Sequence, residues 1–222
     1  MILKLAFWPP VHKFLVNNQK VIKNLFYMSY IFCTFMIVAG FYFYSNQKDI
    51  FNVLFLISNK FGTIALFLFL GSLLPGIFQR FKNFPLFSAS MILFRRQVGI
   101  LMYFMALMHS MYISTIPAII NNSFSLENLP SNGLTGVLTL SILFPVWITS
   151  NDLSQKYMGK WWKIIQRLTY FAMISLFLHV ALVEKSAALL TFSVFGLEIT
   201  SWINVWFFNK KKSESNSAIL KS

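Results

Sequence analysis

The chain has 222 residues, of which 57% are hydrophobic and only 11% are charged, and its formal net charge is +13. A soluble domain of this length would carry about 25% charged residues, so the composition excludes an ordinary soluble enzyme and predicts an integral membrane protein. The basic residues cluster at the ends of apolar segments, where they act as orientation signals, and we therefore expect no nucleic-acid partner.

Six apolar segments are long enough to cross a bilayer. We predict spans at about residues 24–44, 61–78, 97–120, 133–149, 161–183 and 187–208, which together form a transmembrane domain over 24–208. A basic leader over 1–23 precedes this domain, and a basic tail over 209–222, predicted to be disordered, follows it. The apolar island Ile50–Ile57 lies in a polar interval and is too short to cross. The predicted fold class is an all-α membrane protein, a six-transmembrane-helix bundle surrounded by membrane lipid.

The basic residues alternate between the two sides of this predicted bundle. Sixteen of the 19 lie before the first span, after the last span, or in the connections that share their side, whereas only Lys48, Lys60 and Lys185 lie on the other side. Because basic residues are enriched in cytoplasmic segments, this distribution predicts that both termini are cytoplasmic and that the protein is a multi-pass protein of the plasma or inner membrane.

Two histidines lie deep inside predicted spans, where an ionisable group is costly and indicates a function. His109 lies 13 residues beyond Arg96 in the third span, and His179 lies 12 residues beyond Arg167 in the fifth. Both spans run outward, so each imidazole is about 18–20 Å from its basic end. Two imidazoles at one height are what a haem needs as axial ligands. The spacing therefore predicts one haem held by His109 and His179.

Other interpretations of these residues stay open at this stage. A single histidine in a span can form an interhelical hydrogen bond, and only the matched pair favours an iron site. Small residues below the ligands would leave room for a porphyrin, but they also serve ordinary helix packing; they are Gly99, Ala106, Ala172 and Ser175. Cys33 is the only cysteine, which excludes a CxxCH attachment of the haem.

Several short motifs resemble the ferric-reductase-like transmembrane family over about residues 60–185, most closely its bacterial MsrQ branch. The third span reads Arg95-Arg96-x-x-Gly99, followed by His109 and Tyr112. The fourth closes with Thr149-Ser150-Asn151, and the fifth reads Gly159-x-x-Trp162, then Arg167-Leu168-x-Tyr170, then His179. The combination is fairly specific, although no single motif is.

The resemblance implies a six-helix bundle that moves electrons across the membrane through haem b, with His109 and His179 as the ligands of the outer haem. It also implies an outer-face oxidoreductase partner similar to MsrP, the periplasmic molybdopterin enzyme that repairs methionine sulfoxide. The chain contains no GxGxxG motif, so a quinol or a separate flavin reductase is expected to supply the electrons.

The chain departs from the family at the inner end of the bundle. The resemblance leads us to expect histidine at position 166, where this chain has Gln166, and Arg95 is also not an iron ligand. We therefore expect one haem rather than two. Arg95, Gln166 and Arg167 are candidates to bind a haem propionate, a quinone head group or FMN. On a straight helix, however, Gln166 would point about 140° away from His179, and the alternative is a snorkelling arginine beside a solvated glutamine.

The sequence thus predicts the haem-bearing electron-transfer subunit of an oxidoreductase system, without a catalytic residue of its own. Two alternatives remain, a stand-alone ferric or metal reductase and a non-redox assembly or transport subunit. A transporter would be favoured by acidic residues inside the spans, and Glu198 is the only one. That carboxyl could instead relay protons or form an interhelical hydrogen bond.

Overall fold

The computed structural model describes residues 8–46, 49–82, 84–121, 123, 125 and 129–219, with side chains as far as residue 208. The first seven residues of the predicted leader, including Lys4, lie outside the described residues, as do Lys48 and part of the loop after the third span. All regular structure in the described part of the chain is helical.

The helices follow one another with short connections. In chain order they are α1 Trp8–Asn17, α2 Gln19–Ser45, α3 Asp49–Arg80, α4 Pro85–Ser110, a π-helix Met111–Thr115, α5 Ile116–Ile120, α6 Ser131–Ile148, α7 Asp152–Met158, α8 Lys160–Gln166, α9 Leu168–Val183 and α10 Lys185–Ile219.

Six of these helical stretches are long and apolar enough to cross a membrane, which confirms the predicted number of spans. They are Gln19–Ser45, Asp49–Arg80, Pro85–Ile120, Ser131–Ile148, Lys160–Val183 and Lys185–Phe208. We number them as spans one to six. The protein is a multi-pass all-α membrane protein, while the side on which its termini lie stays a prediction.

The second span is much longer than predicted. The island Ile50–Ile57, which we had placed in a polar interval outside the membrane spans, forms the first turns of α3. No glycine or proline separates the island from Phe61, and a few polar residues without a breaker do not end a helix. The prediction of a separate, non-crossing island is therefore wrong.

The last helix also continues past its apolar part. The span ends at Phe208, but the backbone stays helical to Ile219, where the sequence predicts a disordered tail. Lys and Glu are good helix formers, and extending an existing helix avoids the unfavourable nucleation step.

The spans pack in two closely associated pairs. α3 lies along α4, and α6 lies along α9, and α4 also contacts α6. One buried cluster lies between these pairs and α10, with Phe69, Leu73 and Met173 among its members. A second cluster joins α2 to the C-terminal part of the third span through Cys33 and Tyr112. The arrangement places the third and fifth spans close enough for their side chains to meet.

The leader histidine has a structural contact. α1 packs against α4, and His12 Nδ1 lies 2.8 Å from Ser90 Oγ. Trp8 meets Phe87 edge to face, with ring centroids 4.9 Å apart. These contacts dock α1 on the bundle, and His12 lies in a contact separate from the histidine pair.

One ion pair lies between the second and sixth spans. Arg80 Nη2 is 2.5 Å from Glu198 Oε1, and the Glu198 side chain is only 4% exposed. Trp202 Nε1 donates to the same carboxylate at 3.1 Å, and Arg80 Nε donates to Ser201 Oγ at 2.7 Å. Glu198 therefore forms an interhelical contact, one of the roles that the sequence left open for it, and holds α10 against α3.

Candidate functional site

The two predicted ligand histidines face one another inside the bundle. The ring centroids of His109 and His179 are 6.4 Å apart, and their planes are inclined by 73°. Two imidazoles bound to opposite sides of one metal ion have ring centres about 6 Å apart, because each metal–nitrogen bond is about 2 Å. The observed separation therefore fits a single metal held from both sides.

The backbone of the neighbouring spans determines the tautomer of both rings. His109 Nδ1 lies 3.0 Å from the Ser58 carbonyl oxygen, and His179 Nδ1 lies 2.8 Å from the Asn132 carbonyl oxygen. A carbonyl oxygen can only accept, so each Nδ1 carries the proton and donates it. Each Nε2 is left with a free lone pair, which is the form in which imidazole binds a metal.

Each histidine ring also lies against a glycine of the span to which it is bonded. A Cβ built on Gly62 would lie 2.9 Å from His109 Nδ1, and a Cβ built on Gly136 would lie 3.1 Å from His179 Cε1. These separations are shorter than ordinary van der Waals contact. The two imidazoles therefore occupy space that only glycine leaves free on α3 and α6.

A π-helix follows His109 directly. In its five residues, Met111–Thr115, the backbone hydrogen bonds join residues five apart instead of four. Such segments are frequent at functional sites. Tyr112 within it is fully buried and donates to the Met36 carbonyl at 2.8 Å. The C-terminal end of the third span is thereby anchored on the first span, while His109, one turn earlier, lies close to His179 of the fifth.

A cavity of about 510 Å³ lies between the spans on the basic-end side of the histidine pair. The predicted cofactor residues Arg95, Gln166 and Arg167 all line it, and so does Lys163. Gly99, one of the small residues that the sequence placed below the ligands, lines it as well. No acidic residue is among the lining residues, so the cavity is positively charged.

Gln166 is among the residues that line this cavity, whereas His179 is not. The α-helical pattern of the fifth span is interrupted at Arg167, with α8 ending at Gln166 and α9 beginning at Leu168, but the Arg167 backbone keeps right-handed helical dihedral angles. The different directions of the two side chains agree with the separation of about 140° expected along a straight helix. Gln166 Nε2 lies 3.2 Å from Thr149 Oγ1 and 3.3 Å from the Val146 carbonyl oxygen. The amide is held at the cavity wall by the end of the fourth span.

The basic residues at the cavity differ in their partners. Arg96 forms an ion pair with Asp152 and donates to Gln155 Oε1 at 2.9 Å. The hydrogen bond from Arg96 to the Asp152 carboxylate and the positive charge of Arg96 hold the pKa of the Asp152 carboxyl below its ordinary value. Arg95 and Arg167, by contrast, make no side-chain hydrogen bond or ion pair with any residue that the structure describes. Their charges are free for an anionic group.

The five residues that the sequence singled out lie in two separate groups. His109 and His179 form the pair, while Arg95, Gln166 and Arg167 line the cavity. Sequence reasoning missed Gly62 and Gly136, because the sequence around a glycine in an apolar span does not indicate which residue of another span will pack against it. It also treated Lys163 only as an orientation signal. In the described part of the chain no group of three His, Cys, Asp or Glu side chains could hold a metal ion, so any metal here needs ligands beyond the protein.

A family model matches the part of the chain that contains most of this site. The family model described as "Ferric reductase like transmembrane component" matches residues 61–177, which include His109 and end two residues before His179. No solved structure matches the chain significantly.

Curated relatives carry the name "Protein-methionine-sulfoxide reductase heme-binding subunit MsrQ". The one from Agrobacterium fabrum (strain C58 / ATCC 33970) is 30% identical over 106 residues, which are 47% of this chain and 49% of that protein. The one from Brucella ovis is 26% identical over 99 residues, 44% of this chain and 45% of that protein. The chain thus spans about half the length of the curated relatives it matches. With a family match over more than half of its own length, the chain belongs to the ferric reductase like transmembrane component family.

Proposed function

We propose that this protein is the haem-bearing electron-transfer subunit of a membrane oxidoreductase system, with one haem b held by His109 and His179. The observation that carries the proposal is the histidine pair itself. Two imidazoles with the same tautomer face one another at 6.4 Å, inside spans that contain few other polar groups. The named relatives are haem-binding subunits, which supports the same assignment.

The chain's own residues would contribute positioning rather than bond chemistry. The carbonyls of Ser58 and Asn132 hold both rings in the metal-binding tautomer. A haem iron with two imidazole ligands supplies a one-electron couple without an open coordination position, which suits electron transfer better than binding of an exogenous ligand.

We assign the positively charged cavity to the donor side. Arg95 and Arg167 would interact with an anionic or strongly polar group, and Gln166 would offer an amide beside them. A quinone head group, FMN or a haem propionate would meet these requirements. A second haem would not, because arginine and glutamine are not iron ligands in this setting. Electrons would enter here from a quinol or a flavin reductase on the cytoplasmic side.

We assign the acceptor to the opposite face of the membrane. The relatives' name links them to a methionine sulfoxide reductase, so an MsrP-like oxidoreductase is the first candidate partner. The family description favours a second candidate, a stand-alone ferric reductase. A transport function loses its main support, because the carboxylate of Glu198 is bound to Arg80 and Trp202.

Spectroscopy of the purified protein tests the proposal. After expression with added haem precursor, the reduced-minus-oxidised spectrum should show a b-type haem at about one per chain. His109→Ala and His179→Ala should each abolish or strongly alter it. His12→Ala is the matched control, because His12 contacts Ser90 on another part of the bundle, and it should leave the spectrum unchanged.

Two results would overturn the assignment. A colourless protein would refute haem binding, and a spectrum indifferent to both histidine substitutions would refute the ligand pair. A content of two haems per chain would refute the assignment of the cavity to the donor.

A further inference from the structure

The two histidines are bound in the same way by the backbones of two different helices. His109 bonds to the carbonyl of Ser58, four residues before Gly62, and His179 bonds to the carbonyl of Asn132, four residues before Gly136. In each case the ring lies against the glycine and reaches the carbonyl one turn earlier. The spacing, the ring atom used and the type of acceptor are the same in both.

Helix geometry explains why the glycine is needed for this contact. A Cβ points toward the start of its helix, and a side chain at position i lies beside the carbonyl of position i−4. A side chain at Gly62 or Gly136 would therefore cover the carbonyl oxygen that accepts from the histidine. Glycine leaves that oxygen accessible, and its second lone pair can accept from Nδ1 while the first accepts the intrahelical bond.

We infer that Gly62 and Gly136 are positioning residues for the haem site, which open the Ser58 and Asn132 carbonyls to the histidine ligands. The inference rests on the proposed function, since it describes how that site is oriented. A hydrogen bond from Nδ1 raises the basicity of the coordinating Nε2. The two glycines therefore bear on haem affinity and on the reduction potential, although neither residue touches the haem ligand nitrogen.

The distances predict that the two positions are unequally sensitive. The added Cβ at Gly62 would lie 2.9 Å from His109 Nδ1, at 3.0 Å from Cε1 and at 3.0 Å from Cγ, so the ring as a whole must move. At Gly136 the closest approaches are 3.1 Å to Cε1 and 3.2 Å to Nδ1 of His179, which a small rotation can relieve. Gly62→Ala is therefore the severe variant and Gly136→Ala the mild one.

Other glycines in the same helices provide matched controls. A Cβ on Gly71, also in α3, would have no atom within 4 Å, and one on Gly133, also in α6, would meet its nearest neighbours at 3.5 Å. Alanine at these positions makes the same chemical change in the same helix without touching a histidine. The controls separate the effect of a Cβ in contact with a histidine ring from the general effect of alanine in a helix.

The test measures the full-length protein in detergent. Haem titration of the apoprotein should give about 10- to 100-fold weaker binding for Gly62→Ala and a smaller loss for Gly136→Ala. The retained haem should show an altered low-spin ferric electron paramagnetic resonance signal and a higher reduction potential, because the ligand becomes a weaker donor. Gly71→Ala and Gly133→Ala should match the unsubstituted protein in all three measurements.

A second measurement does not depend on haem. Nitrogen NMR of ¹⁵N-histidine-labelled apoprotein should show both His109 and His179 with the proton on Nδ1, and Gly62→Ala should abolish this state for His109 only. If the unsubstituted protein shows this tautomer but binds no haem, the proposed function is refuted, whereas the role of the glycines in the two histidine–carbonyl hydrogen bonds is kept. Circular dichroism and size-exclusion chromatography verify folding, and if Gly62→Ala does not fold, Gly136→Ala decides.

Either of two outcomes would overturn the inference. The first is wild-type haem affinity, spectrum and potential in a folded Gly62→Ala or Gly136→Ala variant. The second is an equal change in the matched controls Gly71→Ala and Gly133→Ala, which would show that the effect comes from alanine in the helix and not from contact with histidine.

Discussion

The ion pair between Arg80 and Glu198 makes a quantitative prediction about stability. Glu198→Ala removes a carboxylate that is 4% exposed and leaves the Arg80 side chain, itself only 17% exposed, without its counter-charge. Trp202 Nε1 also loses its acceptor. Breaking one partner of a buried pair costs about 3–5 kcal/mol, and we expect a loss of that size in the free energy of unfolding.

Two further variants divide this magnitude into its parts. Glu198→Gln keeps an acceptor for Trp202 but removes the negative charge, so a charged hydrogen bond worth about 1.5–3 kcal/mol becomes a neutral one worth about 0.5–1.5 kcal/mol. We expect a loss of about 1–2 kcal/mol. The double variant Arg80→Met with Glu198→Met replaces both charges by apolar groups and should be close to neutral.

Denaturant unfolding of the detergent-solubilised protein, followed by circular dichroism, measures these differences. Glu184→Ala is the control, because the Glu184 side chain is exposed and its one hydrogen bond among the described residues is accepted from the hydroxyl of Ser186. Its effect should stay within about 0.5 kcal/mol. A loss below about 1 kcal/mol for Glu198→Ala would refute the reasoning. The single variants Arg80→Met and Glu198→Met complete the cycle, and a double variant whose loss equals the sum of these two losses would also refute the reasoning, since that result means the charges do not interact.

Three other predictions concern separate parts of the molecule. Gly40→Ala places a Cβ 2.6 Å from Tyr112 Cε1, and overpacking of this kind should lower the free energy of unfolding by about 1–3 kcal/mol, as measured by the same denaturant titration. Arg96→Gln should raise the pKa of Asp152 toward its ordinary value, because the partner that lowers it is gone, and NMR titration of the carboxyl measures this change. In the unsubstituted protein the Arg96–Asp152 ion pair is kept at neutral pH and is lost as the pH falls through the lowered pKa of Asp152. Gln166→Ala should slow quinol-driven haem reduction without changing the haem spectrum, and stopped-flow absorbance measures the rate.

Each of these has a clear contrary result. Gly196→Ala, whose Cβ would meet no atom within 4 Å, is the control for Gly40→Ala, and equal effects would contradict the packing argument. An Asp152 pKa that is unchanged in Arg96→Gln would show that the ion pair does not lower this pKa. An unchanged rate of reduction in Gln166→Ala would remove that residue from the donor site.

The spans and the histidine pair could be predicted because their physics is local. Hydropathy over some twenty residues determines whether a segment crosses a membrane, and the distance of His109 or His179 from its basic end needs only the helical rise. The structure confirms six spans and places the centroids of the two histidine rings 6.4 Å apart. Conversely, the boundaries of α3 were misjudged, because a polar interval without glycine or proline does not stop a helix.

The contacts between spans could not be predicted from the same information. Nothing in the sequence near Gly62 indicates that His109, 47 positions later, will lie against it, and Arg80 was counted as a loop charge although it pairs with Glu198. The contacts of Gln166 with Thr149 and Val146 depend on how the fourth and fifth spans pack. Such features follow from tertiary packing, which overrides local propensity.

The length of α3 links the site to the thickness of the bilayer. Its 32 residues span about 48 Å at 1.5 Å per residue, whereas the hydrocarbon core is about 30 Å thick and the whole bilayer about 40–45 Å. Helices longer than the membrane adjust by tilting. Because Ser58 and Gly62 belong to this helix, a change of lipid chain length alters the tilt of the element that seats His109, and lipid composition becomes a variable that tunes the histidine pair.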